Sequence, residues 1–243
     1  MGHAVGVEVL HFGSLSLQYG ETPDPLLSMT KRLLGVGGES SMTLVQSDGA
    51  TLLIDTSFIN EGNVKQPNIE RNARHVAAAF ARYDHKLEDV QEIFVTHWHH
   101  DHFGNIGLFP NALVRFAGIS KKKVERTLAN FNMLNECAEV RQGADWHEGL
   151  AVIPTPGHNT HHHSVVIAFD DATLVAAGDA IVSQSYYDHG AVWTYNTDFQ
   201  SERVAKESMA KIRDIADIII PGHGHPFENY LHSRKLAWKE TKE

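Results

Sequence analysis

A single cysteine, Cys137, occurs in the 243 residues of the chain. An intrachain disulfide is therefore excluded, and so is a cage of several thiolates around a metal. In its apolar surroundings Cys137 reads as a small buried hydrophobe rather than a nucleophile. Long apolar runs are also missing: no stretch reaches the roughly 18 residues a bilayer-spanning helix requires. No basic segment followed by an apolar one opens the sequence, so a secretory leader is not expected. These absences give a cytoplasmic chain without membrane association as the expectation. Basic charge is in short supply, with 21 Lys and Arg against 30 Asp and Glu and a net charge of -9 at pH 7. An acidic surface repels DNA and RNA unless bound cations invert the field locally, so nucleic acid is not an expected partner. The one basic run, Lys121-Lys122-Lys123 with Arg126, reads as the solvated face of a helix.

What the chain has in excess is histidine, 17 residues, and their clustering matters more than their number. Residues 97–102 read His-Trp-His-His-Asp-His just after the apolar run Ile93-Phe94-Val95. Downstream lie Thr155-Pro156-Gly157-His158, Gly178-Asp179 and Pro221-Gly222-His223, each behind an apolar segment. One such turn residue could be structural, and a solvated histidine-rich loop could be accidental. Their joint recurrence at the ends of expected strands points to metal chemistry instead. Imidazole nitrogen and carboxylate oxygen suit divalent zinc, iron or manganese. His97 and His99, two apart on an extended loop, could converge on one ion, with Asp101 and His102 turned to a neighbouring position. The carboxylate of Asp179 could bridge two cations, which a neutral imidazole cannot do. His100 is surplus to this set and reads as a neighbour of the ligands or as exposed.

The rest of the sequence supplies a frame. Strands are expected at Val7–Leu10 and Leu15–Tyr19. Ser41–Val45 and Thr51–Ile54 should form a hairpin around Ser47-Asp48-Gly49. Residues 56–68 should be a loop. A helix should carry Ile69, Ala73, Val76, Phe80 and Tyr83 on one stripe, and a second should cover 119–134. Short strands are expected at Val152-Ile153, Ser164–Ala168 and Thr173–Ala177. A final helix from Ser201, with Ala205, Met209, Ile212 and Ala216 inward, should lead into Ile218–Ile220. Helices with one apolar stripe each need sheets to cover them, so sheets inside and helices outside is the economical α+β arrangement, in one domain over residues 1–243.

On these residues the sequence resembles the metallo-β-lactamase superfamily over nearly its whole length. The His-x-His-x-Asp-His motif of that family is matched by His97, His99, Asp101 and His102, followed by His158, Asp179 and His223. The resemblance implies a four-layer αββα sandwich with the site at one edge. It implies two divalent metal ions, zinc first with iron or manganese as alternatives. His97, His99 and His158 would bind one, Asp101, His102 and His223 the other, and Asp179 both. It further implies hydrolysis by a hydroxide bridging the two ions, with Asp101 orienting that nucleophile or collecting its proton. Leu52-Leu53-Ile54-Asp55-Thr56 is similar to a strand-end Asp element of the family, structural rather than ligating.

The family hydrolyses many substrates. Acyl-homoserine-lactone hydrolases carry a tyrosine three residues after the bridging aspartate, where this chain has Val182. The chain continues only briefly past His223, leaving little room for the helical region of glyoxalase II thioesterases. Residues 104–110 and 221–227 are closest to a compact single-domain subgroup. Tyr186, Tyr187, Trp193, Tyr195 and Phe199 could line an apolar acyl pocket, form a homodimer contact or pack in the core. His162 reads as a neighbour of the ligands, with His161 and His163 exposed. A small-molecule ester or lactone is the expected substrate. Phosphodiester hydrolysis, or an iron-dependent non-hydrolytic role, are the alternatives.

Overall fold

The computed structural model describes residues 6–15, 38–59, 68–143 and 145–231. The order begins with strands β1 (Gly6–His11), β2 (Ser14–Leu15), β3 (Gly38–Glu39), β4 (Met42–Ser47) and β5 (Ala50–Ile54). Helix α1 (Ile69–Ala81), β6 (Glu92–Phe94), the short α2 (His100–Phe103), β7 (Leu113–Phe116), α3 (Lys121–Asn130) and β8 (Cys137–Glu139) follow. The second half holds β9 (Asp145–His147), β10 (Leu150–Pro154), β11 (His163–Ala168), β12 (Thr173–Gly178), α4 (Gln184–Asp188), α5 (Glu202–Arg213), β13 (Ile218–Pro221) and β14 (Phe227–Glu228).

Two six-stranded sheets result, ordered β1-β4-β5-β6-β7-β8 and β14-β13-β12-β11-β10-β9, beside a small β2-β3 pair. The β4–β5 hairpin turns through Asp48 and Gly49, whose φ values of 50° and 76° suit a tight two-residue connection. Strands β5 to β8 run parallel, as do β12 and β13. Parallel neighbours need crossover connections, and α1, α3 and α5 lie in three of them.

Side chains alternate faces along a strand, and here the alternation sorts the core into layers. Leu53, Ile93 and Val114 pack outward with Val76, Phe80, Val124 and Leu128 of α1 and α3. Leu52, Ile54 and Phe94 point the other way, against Val152, Val165, Ile167, Ala176 and Ile220 of the second sheet. Val175, Ala177 and Ile219 then meet Met209 and Ile212 of α5. Helix, sheet, sheet, helix is the expected αββα sandwich.

Several expectations change in detail. Helix α1 buries Asn72, Val76, Ala79 and Phe80, whereas Ile69 is 66% exposed and Tyr83 39%. The stripe is therefore rotated toward Asn72, which hydrogen-bonds both backbone groups of Ile59 and so anchors the preceding loop. The second helix is shorter than 119–134, and β7, β8 and β9 are additional strands. The expected strand 15–19 lies outside the described residues beyond Leu15, as do positions 60–67 of the expected loop. Cys137 is buried in β8, and the Lys121–Lys123 face of α3 is exposed. No helix among the described residues is long and apolar enough to cross a membrane.

Candidate metal centre

All the candidate residues leave the carboxyl ends of strands along one edge of the sandwich. His97 follows β6, His158 follows β10, Asp179 directly follows β12, and His223 follows β13. Asp101 and His102 sit on α2, whose first turn opens after His99. Seven residues separated by up to 126 positions thereby share one small volume.

They form two donor groups. In one, His99 Nδ1 lies 3.0 Å from both His97 Nε2 and His158 Nε2. Asp179 Oδ2 stands 3.3 Å from His158 Nε2 and 3.9 Å from His97 Nε2. In the other, Asp101 Oδ2 is 3.7 Å from His102 Nε2 and 3.5 Å from His223 Nε2. Asp179 Oδ1 stands 3.3 Å from each of the same two nitrogens. The single carboxylate of Asp179 thus turns one oxygen to each group. His102 Nε2 and Asp179 Oδ1 are buried without an aligned hydrogen bond. Buried polar atoms are rarely left so, and lone pairs converging at these spacings fit divalent cations of the zinc type.

Neighbours fix the outer nitrogens of four of the five rings, which sets the tautomer each of those presents inward. His102 Nδ1 is 2.7 Å from Asp55 Oδ2, and Asp55 also accepts from the Thr96 amide and hydroxyl. His223 Nδ1 donates to the Glu39 carbonyl at 2.8 Å. His99 Nε2 is 2.9 Å from Asp198 Oδ1, itself held by Asn196 Nδ2. His97 Nδ1 faces Thr96 Oγ1 at 3.2 Å. Asp55 is accordingly a support rather than a member of either donor group, as its sequence context suggested. Asp198 was not a sequence candidate. It lies 99 positions from His99, and the only available signal was a carboxylate in an aromatic loop following Asp179.

Electrostatics follow from burial and from the density of rings. Burial drives His97 and His158 down, His158 to about 3, so their lone pairs are free at neutral pH. Burial opposes a charged His102 too, but Asp55, Asp101 and Asp179 outweigh it and raise that ring well above its usual value. Burial would raise Asp179, yet the His223, His102 and His158 charges hold it ionised, well below the usual carboxylate range.

Glycine makes room for the bridge. A Cβ on Gly222 would stand 2.0 Å from Asp179 Oδ1. Gly178 has φ 52°, and a Cβ there would meet His162 Nε2 at 2.8 Å and Thr96 Oγ1 at 2.9 Å.

The remaining histidines separate cleanly. His162 is buried beside the centre, its ring 4.8 Å from that of His97 and its Nδ1 2.9 Å from Thr155 Oγ1. His100 turns away and packs on Phe58 and Phe131. His161 and His163 are not exposed as expected: His163 is buried, and His161 Nδ1 donates to the Gly118 carbonyl at 2.6 Å. Of the aromatic segment, Tyr186 and Tyr187 belong to the core rather than to a pocket wall. Tyr186 packs with Leu15 and Val182, and Tyr187 donates to Asn229 Oδ1 at 2.6 Å. Trp193 and Tyr195 are half-buried, with ring centroids 4.8 Å apart.

Comparison with known proteins agrees with this fold. Residues 35–114, which contain the 97–102 motif, match the family described as the metallo-beta-lactamase superfamily. The chain is 30% identical over 213 residues to metallo-beta-lactamase domain-containing protein 1 of Xenopus laevis, covering 85% of this chain and 82% of that protein. The human protein of the same name is 28% identical over 227 residues, 92% of this chain and 76% of the relative. Among solved structures, a Thermotoga maritima protein classed with the metallo-beta-lactamases superposes with a TM-score of 0.64 at 16% identity, covering 92% of this chain and 99% of the other. An N-acyl homoserine lactone hydrolase, solved with N-hexanoyl-L-homoserine bound at its catalytic metal center, gives 0.61 at 16% identity over 90% of this chain and 92% of that one. At such identities the structural matches speak for the fold, and the Xenopus relative speaks for descent: the chain belongs to the metallo-beta-lactamase superfamily.

Proposed function

We propose that the chain is a dinuclear metal-dependent hydrolase acting on a small ester or lactone. The observation that carries this reading is the division of Asp179 between two donor groups, Oδ2 toward His97, His99 and His158, Oδ1 toward Asp101, His102 and His223. Those residues would hold two divalent cations, zinc first, with iron and manganese compatible with the same donors. Such a pair, when bound, supplies Lewis acidity for an acyl oxygen and a water of depressed pKa as nucleophile.

The residues of the chain do the rest. Asp179, buried and ionised, fixes the spacing of the two groups. Asp198 and Asp55 hold the rings of His99 and His102 in the tautomers that face inward. Asp101 is the more exposed of the two carboxylates in the donor groups, its side chain 19% accessible against 6% for Asp179. On this reading its greater exposure suits it to orient the attacking water and accept its proton. A lactone or ester is supported by the acidic surface and by the half-buried Trp193 and Tyr195, which offer apolar area near the Asp198 loop.

A second reading, phosphodiester hydrolysis, is favoured by one observation. A cavity of about 630 Å³ beside Glu39 is lined by Arg71, Arg74 and Arg82 and by none of the seven donor residues, so its cations would act on an anionic substrate through their longer-range field. The deciding experiment is hydrolysis across matched lactones, aryl esters, thioesters, β-lactams and phosphodiesters by metal-quantified protein, with Asp179→Asn as control. Lactone or ester turnover lost in that variant supports the lead. Turnover confined to phosphodiesters replaces it with the second reading, and turnover of none of them sinks both.

A further inference from the structure

A second set of metal-type donors lies outside the centre. His11 on β1, Glu39 on β3 and His75 on α1 each bring one ligand atom within 4.8 Å of the others. His11 Nε2 is 2.7 Å from Glu39 Oε2, and His75 Nε2 is 4.0 Å from the same oxygen. The two rings meet edge to face with centroids 4.4 Å apart. All three residues line the cavity of about 630 Å³. No part of this set belongs to either donor group around Asp179.

An ordinary ion pair between His11 and Glu39 accounts for only part of the arrangement. His11 Nε2 is buried and close to the carboxylate, yet off the line of an aligned hydrogen bond. His75 Nε2, turned toward the same carboxylate, has only a long contact of 3.3 Å with Ser57 Oγ. Two imidazoles and a carboxylate beside open space are the protein ligands of a mononuclear zinc site.

The charge of the surroundings selects the kind of ion. Arg71, Arg74 and Arg82 line the same cavity, so a hard cation held by charge alone, such as calcium or magnesium, meets repulsion and finds too few oxygens. A borderline-soft ion bonded through nitrogen does not depend on net negative charge to the same degree.

We propose that His11, Glu39 and His75 form a further metal site that holds one zinc-class cation, with its open position facing the cavity. The ion ties β1, β3 and α1 together at one point. Glu39 gives the arrangement a wider consequence, because its backbone carbonyl is the acceptor that orients His223. An ion on the Glu39 side chain thus steadies the backbone behind one ligand of the main centre.

The test is metal stoichiometry, which needs no substrate. Chelated protein is titrated with zinc and the bound metal is counted after removal of excess. Taken with the two ions of the proposed function, wild type should bind three equivalents and His11→Ala/His75→Ala two. Asp179→Asn should keep the ion at His11, Glu39 and His75 while binding less at the centre. Equal counts in wild type and the double variant overturn the inference, and equal counts of two leave the dinuclear reading intact. One equivalent in wild type that disappears with His11→Ala/His75→Ala has the opposite meaning. Should the double variant fail to fold by circular dichroism, Glu39→Gln, which keeps shape and removes the charge, is counted in its place and read the same way.

Discussion

Among single residues, Asp179 ties the two donor groups together, one oxygen facing each. Gly222 exposes that dependence without touching a ligand. Because a Cβ there would overlap Asp179 Oδ1 at 2.0 Å, Gly222→Ala should displace the carboxylate and lower metal content at both positions together. His158→Ala, by contrast, should deplete mainly the ion held with His97 and His99, and metal counting separates the two patterns. Asp198 makes a different prediction. It touches no shared donor point but fixes His99 through Nε2, and losing such an outer partner weakens metal binding by roughly 10–100-fold. Asp198→Ala should show that loss in a competitive chelator titration, while Asp198→Asn, which keeps an acceptor oxygen, should recover most of it. An unchanged affinity in Asp198→Ala would make the contact incidental. The seven residues of the two donor groups were legible in the sequence, because they fall in recognisable motifs behind apolar runs. Among the supports Asp55 was legible as a strand-end element, but Asp198 and Glu39 act through tertiary proximity, and nothing in their local sequence marks it.

At the scale of elements, legibility followed length and punctuation. The β4–β5 hairpin announced itself through Asp48-Gly49, and α5 through Ser201, whose hydroxyl accepts from the Val204 amide. The inward positions Ala205, Met209 and Ile212 of α5 are buried as their spacing predicts. Strands β7, β8 and β9 escaped because, unlike the equally short β6 and β13, they lack an unbroken apolar run, and their assignment comes from pairing with neighbours already in place. Helix α1 shows a subtler limit: its apolar stripe was read through Ile69 and Tyr83, but Asn72 takes the inward position by satisfying the Ile59 backbone. The hairpin offers a clean test of element against site. A Cβ at Gly49 would meet nothing within 4 Å, yet φ is 76°. Gly49→Ala should therefore cost about 1 kcal/mol through backbone strain alone. Urea unfolding should show a lower midpoint with an unchanged slope, and metal content should stay as in wild type. A loss of metal would mean that the hairpin, at the opposite end of β5 from Asp55, communicates with the centre.

Six of the described histidines, His97, His102, His158, His162, His163 and His223, are buried in the fold, and this sets how stability depends on pH. Burial is the first cause of the lowered values of His97, His162, His163 and His75, the last at about 4, and of His158 at about 3. An unfolded histidine titrates near 6.5. Between about 6.5 and about 4 the unfolded chain therefore takes up protons that these folded rings refuse, so acidification through that window favours unfolding. His102 and His223 act in the opposite sense. Their values are raised by surrounding carboxylates against burial, so their stabilisation is complete below about 6.5 and fades as pH rises through the raised values. The depressed rings outnumber the raised ones, which sets the net sign for the metal-free protein. Its urea midpoint should fall steadily from about pH 7 to about pH 4.5. Bound metal should steepen the fall, because protons compete with cations for the same nitrogens and each ion released removes its contribution to folding. Midpoints measured across that range, with and without chelator, decide the matter. A flat profile in the chelated protein would mean that the buried rings are already protonated in the fold, and a chelated profile as steep as the metal-loaded one would mean that the donor nitrogens hold no cation that folding depends on.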